Sequence, residues 1–91
     1  MKNYLVTGSC GFIGYNLITK LLNNKTINII GIDNLSRFGS NENYKILSKY
    51  KNFTFYKVDI ENHSKLDKIF KKYKPDVICH LAAQVAVTLS Y

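Results

Sequence analysis

No apolar run in this sequence approaches the roughly 18 residues that a membrane-spanning helix requires. Nor does the N-terminus show a basic stretch, an apolar stretch and a small-residue cleavage site in succession, so a cytoplasmic location without a membrane partner is expected. Cysteine is scarce. Cys10 and Cys79 stand too far apart for a C-x-x-C redox or zinc pair and no Cys/His cluster accompanies them, so buried, reduced thiols and no metal site are expected. Acidic residues are few as well: 6 against 13 basic ones, a net charge of +7, which raises the question of a nucleic-acid or other anionic partner. The near-absence of arginine answers half of it. Arg37 stands alone beside lysines scattered from Lys2 to Lys74, too dispersed for bidentate reading of bases or phosphates, and ten isoleucines and ten asparagines point to a chain-wide compositional bias. Solvated lysines and no nucleic-acid partner are the reading. Length is short too: 91 residues leave room for one small core, while 46% apolar and 21% charged residues place the chain among folding sequences.

Along the chain, apolar runs and helical periods alternate. Tyr4-Leu5-Val6 ends at Gly8 and Gly11, which reads as a buried strand entering a tight turn. Phe12, Ile13, Leu17, Leu21 and Leu22 then keep a helical spacing that stops at Asn23-Asn24. Ile27, Ile29, Ile30 and Ile32 form a β-branched run of the kind found in a parallel strand covered on both faces. The stretch from Asn34 to Asn43 is rich in Ser, Asn and Gly and is expected to be a loop, followed by a short helix using Tyr44, Leu47 and Tyr50. Phe53 to Val58 reads as a third strand. Leu66, Ile69, Phe70 and Tyr73 mark a helix that ends at Lys74-Pro75-Asp76, and Val77 to Leu81 reads as a fourth strand. Ala82 to Tyr91 is expected to be a loop.

Strands alternating with helices imply right-handed crossovers, hence an α/β fold with a doubly wound parallel sheet of order 3-2-1-4. A ligand belongs at the carboxyl ends of its strands, at the switch point between strands one and four. With only ten residues after strand four, the chain reads as the incomplete N-terminal part of a six-stranded Rossmann domain spanning residues 1–91, and strand four would be left as a bare edge.

Gly8-Ser9-Cys10-Gly11-Phe12-Ile13-Gly14 falls where strand one passes into the first helix. There Gly8 serves the turn, Gly11 lets backbone approach a pyrophosphate, and Gly14 allows close packing of helix on strand, with helix amides facing the phosphates. The competing reading is a glycine-rich turn without a ligand. Asp33 follows the second strand 19 residues after Gly14, where a carboxylate can accept from the hydroxyls of an adenosine ribose; otherwise it is a cap or turn residue. A carboxylate there repels a 2′-phosphate and favours NAD, whereas Arg37 just beyond is the kind of residue an NADP site uses.

Thr7 to Gly14, Asp33-Asn34-Leu35, Asp59-Ile60 and His80-Leu81-Ala82-Ala83-Gln84 stand in the order seen in the extended short-chain dehydrogenase/reductases. The chain resembles the NAD-dependent epimerase/dehydratase family along its whole length, and the two-residue first glycine gap is normal there. The resemblance implies that Phe12 and Ile13 supply amides to the pyrophosphate and that Asp33 holds the adenosine ribose, with Asn34 and Ser36 nearby. It implies too that Asp59 and the Ile60 backbone meet the adenine, and that Leu81, Ala82 and Ala83 lie against the nicotinamide-side ribose. Asp59 as a strand-end cap and the alanines as plain packing are the alternatives, and His80 reads as a hydrogen-bonded strand residue rather than a base. Asp33 to Arg37 together with Ala83 to Thr88 look most like epimerases of a CDP-sugar, although Leu89 stands where a small polar residue is expected.

NAD as cofactor, a nucleotide-sugar substrate and a homodimeric parent enzyme are what the family implies. Its catalytic Tyr-x-x-x-Lys pair is absent from these residues, so no catalytic residue is assigned and the 91-residue chain alone is expected to be inactive. A non-catalytic NAD(P)-binding sensor or regulatory module is the alternative.

Overall fold

A computed structural model describes residues 2–36 and 38–81, and the backbone of 88–90. The elements run β1 (Lys2–Thr7), α1 (Phe12–Leu21), β2 (Ile27–Asp33), α2 (Ser40–Leu47), β3 (Phe53–Lys57), α3 (His63–Tyr73), β4 (Val77–His80) and β5 (Thr88–Ser90). The sheet has the order β3-β2-β1-β4-β5, so the first four strands stand in the expected 3-2-1-4 arrangement, each pair parallel.

The alternation of side chains along each strand divides the core between two faces. On one face Val6, Ile29, Phe53 and Cys79 pack with Ile18 and Leu22 from α1 and its end and with Leu47 from α2. On the other, Leu5, Ile30 and Ile32 pack with Val58 and with Ile69 of α3. The central strand residues Leu5, Val6, Ile29, Ile30 and Ile32 are wholly inaccessible, and burial of each contributes about 1.5–3 kcal/mol to folding. The α3 helix starts on the Asn62 side chain, which accepts from the Lys65 amide at 3.2 Å, and ends at a left-handed Lys74. Asn52 is buried between elements, its side-chain amide donating to the carbonyls of Leu22 and Ile27.

Two expectations are corrected. The loop expected over Asn34–Asn43 is cut short, because α2 begins at Ser40, and Tyr50 lies beyond its end. Gly39 turns the chain into that helix with a φ of 83°, a left-handed start that residue preferences for ordinary N-caps do not anticipate. The C-terminal loop is also interrupted: β5 pairs antiparallel with Ile78, Cys79 and His80, so β4 has a neighbour on each side. The unmet backbone groups of an edge strand draw any following extended segment into pairing. The remainder of that expected loop, residues 82–87 and 91, lies outside the described residues.

Candidate functional site: a cleft at the carboxyl end of the sheet

The first turn of the chain is shaped by one carbonyl. The Ile32 carbonyl accepts from the amides of Gly8 and Ser9, at 2.7 and 3.2 Å, and so fastens the end of β1 to the end of β2. Gly8 adopts a φ of 72°, open to glycine at little cost, and the Gly11 amide returns to the Gly8 carbonyl at 3.2 Å. The α1 helix then begins so close to this turn that a Cβ on Gly14 would lie 2.2 Å from the Gly8 carbonyl oxygen. Only a glycine permits that approach.

The consequence for α1 is an open N-terminus. Its first helical bond runs from the Tyr15 amide to the Gly11 carbonyl at 2.8 Å, and no side chain caps the turn before it. The amides of Phe12, Ile13 and Gly14 therefore lie at the positive end of the helix with their donors unspent on the helix itself. No acidic residue occupies that first turn. Such an end attracts an anion with several oxygens.

Opposite it stands Asp33, the last residue of β2. One carboxylate oxygen accepts from the Cys10 amide at 2.9 Å and the other from the Leu35 amide at 2.8 Å. These bonds occupy two of about four lone-pair positions, which leaves acceptor capacity for a pair of hydroxyls. Leu35 is held in a left-handed conformation, φ 61°, by this same contact. Beyond β3, Asp59 accepts from the Glu61 amide at 2.9 Å and from the Asn34 side-chain amide at 3.5 Å, and it lines the cleft. Asn34 in turn accepts from the Ser36 amide at 3.0 Å.

A cleft of about 440 Å³ joins these parts. It is lined by Gly8, Gly11, Phe12, Ile13 and Gly14 on one side and by Asp33, Asn34 and Ser36 at the end of β2. Asp59 and Ile60 follow at the end of β3, and Leu81 closes the row after β4. The residues expected to hold the cofactor are thus brought together except Ala82 and Ala83, which, like Arg37, lie outside the described residues. The cleft also takes in Ile32, Val58 and Glu61, which had not been singled out. Val58 follows directly from the strand ending at Lys57, and Glu61 from its place two residues after Asp59. His80 is not on this wall; its Nδ1 shares a 2.7 Å hydrogen bond with the Thr7 hydroxyl, as expected of a strand histidine.

Cys10, in the turn between β1 and α1, is wholly inaccessible and its thiol lies 3.8 Å from the Ser9 hydroxyl. Burial pushes its thiol up to about 11; the Ser9 contact opposes the rise and the Asp33 charge adds to it. It is a packing residue here. Among the described residues no group of three metal-ligating side chains occurs, and no helix is long and apolar enough to cross a membrane.

The arrangement suits an adenine dinucleotide in kind: amides for a diphosphate, a carboxylate for a ribose diol, apolar walls at Ile32, Val58 and Ile60 for a flat ring. Comparison with known proteins agrees. The family model for GDP-mannose 4,6 dehydratase matches residues 5–91. CDP-paratose 2-epimerase of Salmonella typhi is 45% identical over 86 residues, which cover 94% of this chain and 25% of that protein. Among solved structures, dTDP-glucose 4,6-dehydratase of Bacillus anthracis, in complex with NAD, superposes with a TM-score of 0.81 at 35% identity, over 90% of this chain and 27% of that one. UDP-glucuronic acid 4-epimerase of Bacillus cereus, in complex with UDP-glucuronic acid and NAD, gives 0.77 at 34% identity, over 87% and 26%. The chain thus spans about a quarter of the length of the relatives it matches. On the strength of the family match and of these superpositions, the chain belongs to the NAD-dependent epimerase/dehydratase family of extended short-chain dehydrogenase/reductases.

Proposed function

We propose that this chain is the NAD-binding part of a nucleotide-sugar epimerase or dehydratase. The observation that carries the reading is the uncapped start of α1 facing the Asp33 carboxylate across one cleft. A diphosphate at Phe12, Ile13 and Gly14 puts its charge on helix amides, and one ribose then falls to Asp33. Asp59 and Glu61 stand at the far end, where Asp59 can accept from an adenine amino group. Leu81, Ala82 and Ala83 would border the other ribose. Bound NAD supplies the reversible removal of a hydride from a sugar carbon, which turns an otherwise inert stereocentre or leaving group into a reactive one.

The finer reading is a CDP-paratose 2-epimerase acting on a CDP-sugar, supported by the 45% identity to the Salmonella protein and by the Asp33-Asn34-Leu35-Ser36-Arg37 stretch. The relatives named above are enzymes, which favours this class over a binding-only sensor. A homodimer in the cytoplasm with a nucleotide-sugar substrate is the form that goes with it. The test is calorimetric titration of the full-length protein with NAD and NADP, followed by incubation with CDP-, UDP- and GDP-sugars and chromatography of the products. Micromolar binding of NAD and conversion of one sugar are expected; absence of NAD binding in folded protein would overturn the proposal.

A further inference from the structure

The loop that presents the α1 amides is held by a residue outside the cleft. Asn43, on α2, donates from its side-chain amide to the Cys10 carbonyl at 2.9 Å. The Cys10 amide is taken at the same time by Asp33, also at 2.9 Å. Cys10 is therefore gripped through both of its backbone polar groups, from a helix on one side and from a strand end on the other. Its side chain is fully buried as well.

What the grip fixes follows from covalent geometry. The Cys10 carbonyl and the Gly11 amide belong to one planar peptide unit, so orienting the carbonyl orients the N–H that bonds the Gly8 carbonyl at 3.2 Å. The amides of Phe12, Ile13 and Gly14 follow it in the chain at the start of α1. Without the Asn43 contact the Cys10 carbonyl would be half-buried and short of a partner, and would gain by turning toward solvent or toward whatever lies in the cleft. A carbonyl turned into the cleft repels an anion.

We propose that Asn43 is a positioning residue for the diphosphate end of the cleft: it keeps the Cys10 carbonyl turned to α2, so that the amides of Phe12, Ile13 and Gly14 meet the ligand without a carbonyl beside them. This rests on the NAD-binding reading above, and it assigns to α2 a part in ligand binding that the cleft lining does not show. Asn43 reaches the loop because α2 begins early, at Ser40, with the Asn43 amide bonded to the Gly39 carbonyl at 3.2 Å.

The experiment uses the full-length protein with Asn43→Leu, nearly the same size but without a donor, and Asn43→Gln, which keeps one. Affinities for NAD, ADP and adenosine are measured by calorimetry, and amide hydrogen exchange of residues 8–14 is followed in the ligand-free state. Loss of one neutral hydrogen bond should weaken NAD and ADP by about threefold to tenfold in Asn43→Leu while adenosine changes little. Loop exchange should quicken, and Asn43→Gln should recover part of both effects. Equal weakening of all three ligands would assign Asn43 a general structural role and overturn the proposal, as would wild-type NAD affinity and loop exchange in Asn43→Leu. If wild-type protein fails to bind NAD, the functional reading falls. The loop-exchange comparison then still decides whether Asn43 holds the peptide.

Discussion

Gly14 and Gly8 approach so closely that the 2.2 Å between a Cβ built on Gly14 and the Gly8 carbonyl oxygen has no counterpart at Gly11, where the same construction leaves 3.4 Å. The two glycines of one motif therefore stand under different steric constraints. Gly14 is required by the fold, because the obstructing atom is backbone and cannot swing aside. Gly11 is open to a side chain and lines the cleft, so a glycine there is expected to serve the ligand rather than the fold.

Gly14→Ala is accordingly expected to separate α1 from the end of β1 and to destabilise the full-length protein by about 1–3 kcal/mol, the usual range for forced overpacking. Gly11→Ala should leave the thermal midpoint within about 2 °C of wild type, since a side chain there meets only ordinary contact. Its NAD affinity should nevertheless drop, and Gly11→Val should abolish measurable binding. Differential scanning fluorimetry and calorimetric titration on the same preparations check the split. An equal loss of stability in both alanine variants would contradict it.

Asp33 sits between the cofactor side of the cleft and the loop behind it. Asp33→Ser should weaken both NAD and NADP, because the Cys10 and Leu35 amides lose their acceptor along with the ribose. The ratio should also move. Removing the negative charge is expected to shift preference toward NADP by about 1–3 kcal/mol, the usual scale for truncating a charged hydrogen-bonded contact. Dissociation constants for both cofactors measured on wild type and variant give the ratio directly, and an unchanged ratio is the outcome that refutes the assignment.

Cys10 gives a pH signature. Its thiol is raised from an ordinary 9.0 to about 11 by burial first, so the folded state holds the proton more tightly than the unfolded chain. The sign follows: the stabilisation is fully present below about pH 9 and is lost as pH rises through about 11. Cys79 is raised by burial as well and acts in the same direction. Alkylation of native protein by iodoacetamide, followed by mass spectrometry between pH 8 and 11, should show Cys10 protected where an exposed thiol already reacts. Rapid modification of Cys10 at pH 8 in folded protein would show that the thiol is neither buried nor raised.

Much of this architecture was legible in residue order. The isoleucines of β2 and the Leu66, Ile69, Phe70, Tyr73 period of α3 announce their elements because burial imposes the period directly. The glycine spacing and Asp33 are legible for a similar reason, since backbone geometry leaves few alternatives. What the sequence hides is contact across elements. Nothing local marks Asn43 as the partner of the Cys10 carbonyl, and a Ser-, Asn- and Gly-rich segment reads as loop although Gly39 starts a helix inside it. Glu61 had a faint signal in its place beside Asp59. The pairing of β5 on β4 had none, because edge pairing depends on unmet backbone groups rather than on side-chain pattern.

The final prediction is that the 91-residue chain catalyses neither epimerisation nor dehydration, even with NAD present. Removing a hydride from a sugar carbon requires a base for the neighbouring hydroxyl, and the family's tyrosine owes its lowered pKa to a lysine four residues on. Tyr4, Tyr15, Tyr44, Tyr50, Tyr56 and Tyr73 are followed at that spacing by Gly8, Thr19, Ser48, Thr54, Ile60 and Val77, and Tyr91 is the last residue of the sequence. The environments agree with the spacing. Tyr56 and Tyr73 share a hydrogen bond between their hydroxyls, and that bond pushes Tyr73 up to about 12, the reverse of what a base needs. Tyr44 packs against Phe55 at a tilt of 43°, with ring centres 4.6 Å apart. Among the described residues no tyrosine lines the cleft, and His80 is engaged by the Thr7 hydroxyl. Incubating the purified chain with NAD and CDP-, UDP- and GDP-sugars, then separating the products by chromatography, should give no conversion above a protein-free control. The full-length protein should convert one of them under the same conditions. Turnover by the short chain would place a catalytic base among these residues and undo the assignment of catalysis to a Tyr-x-x-x-Lys pair outside them.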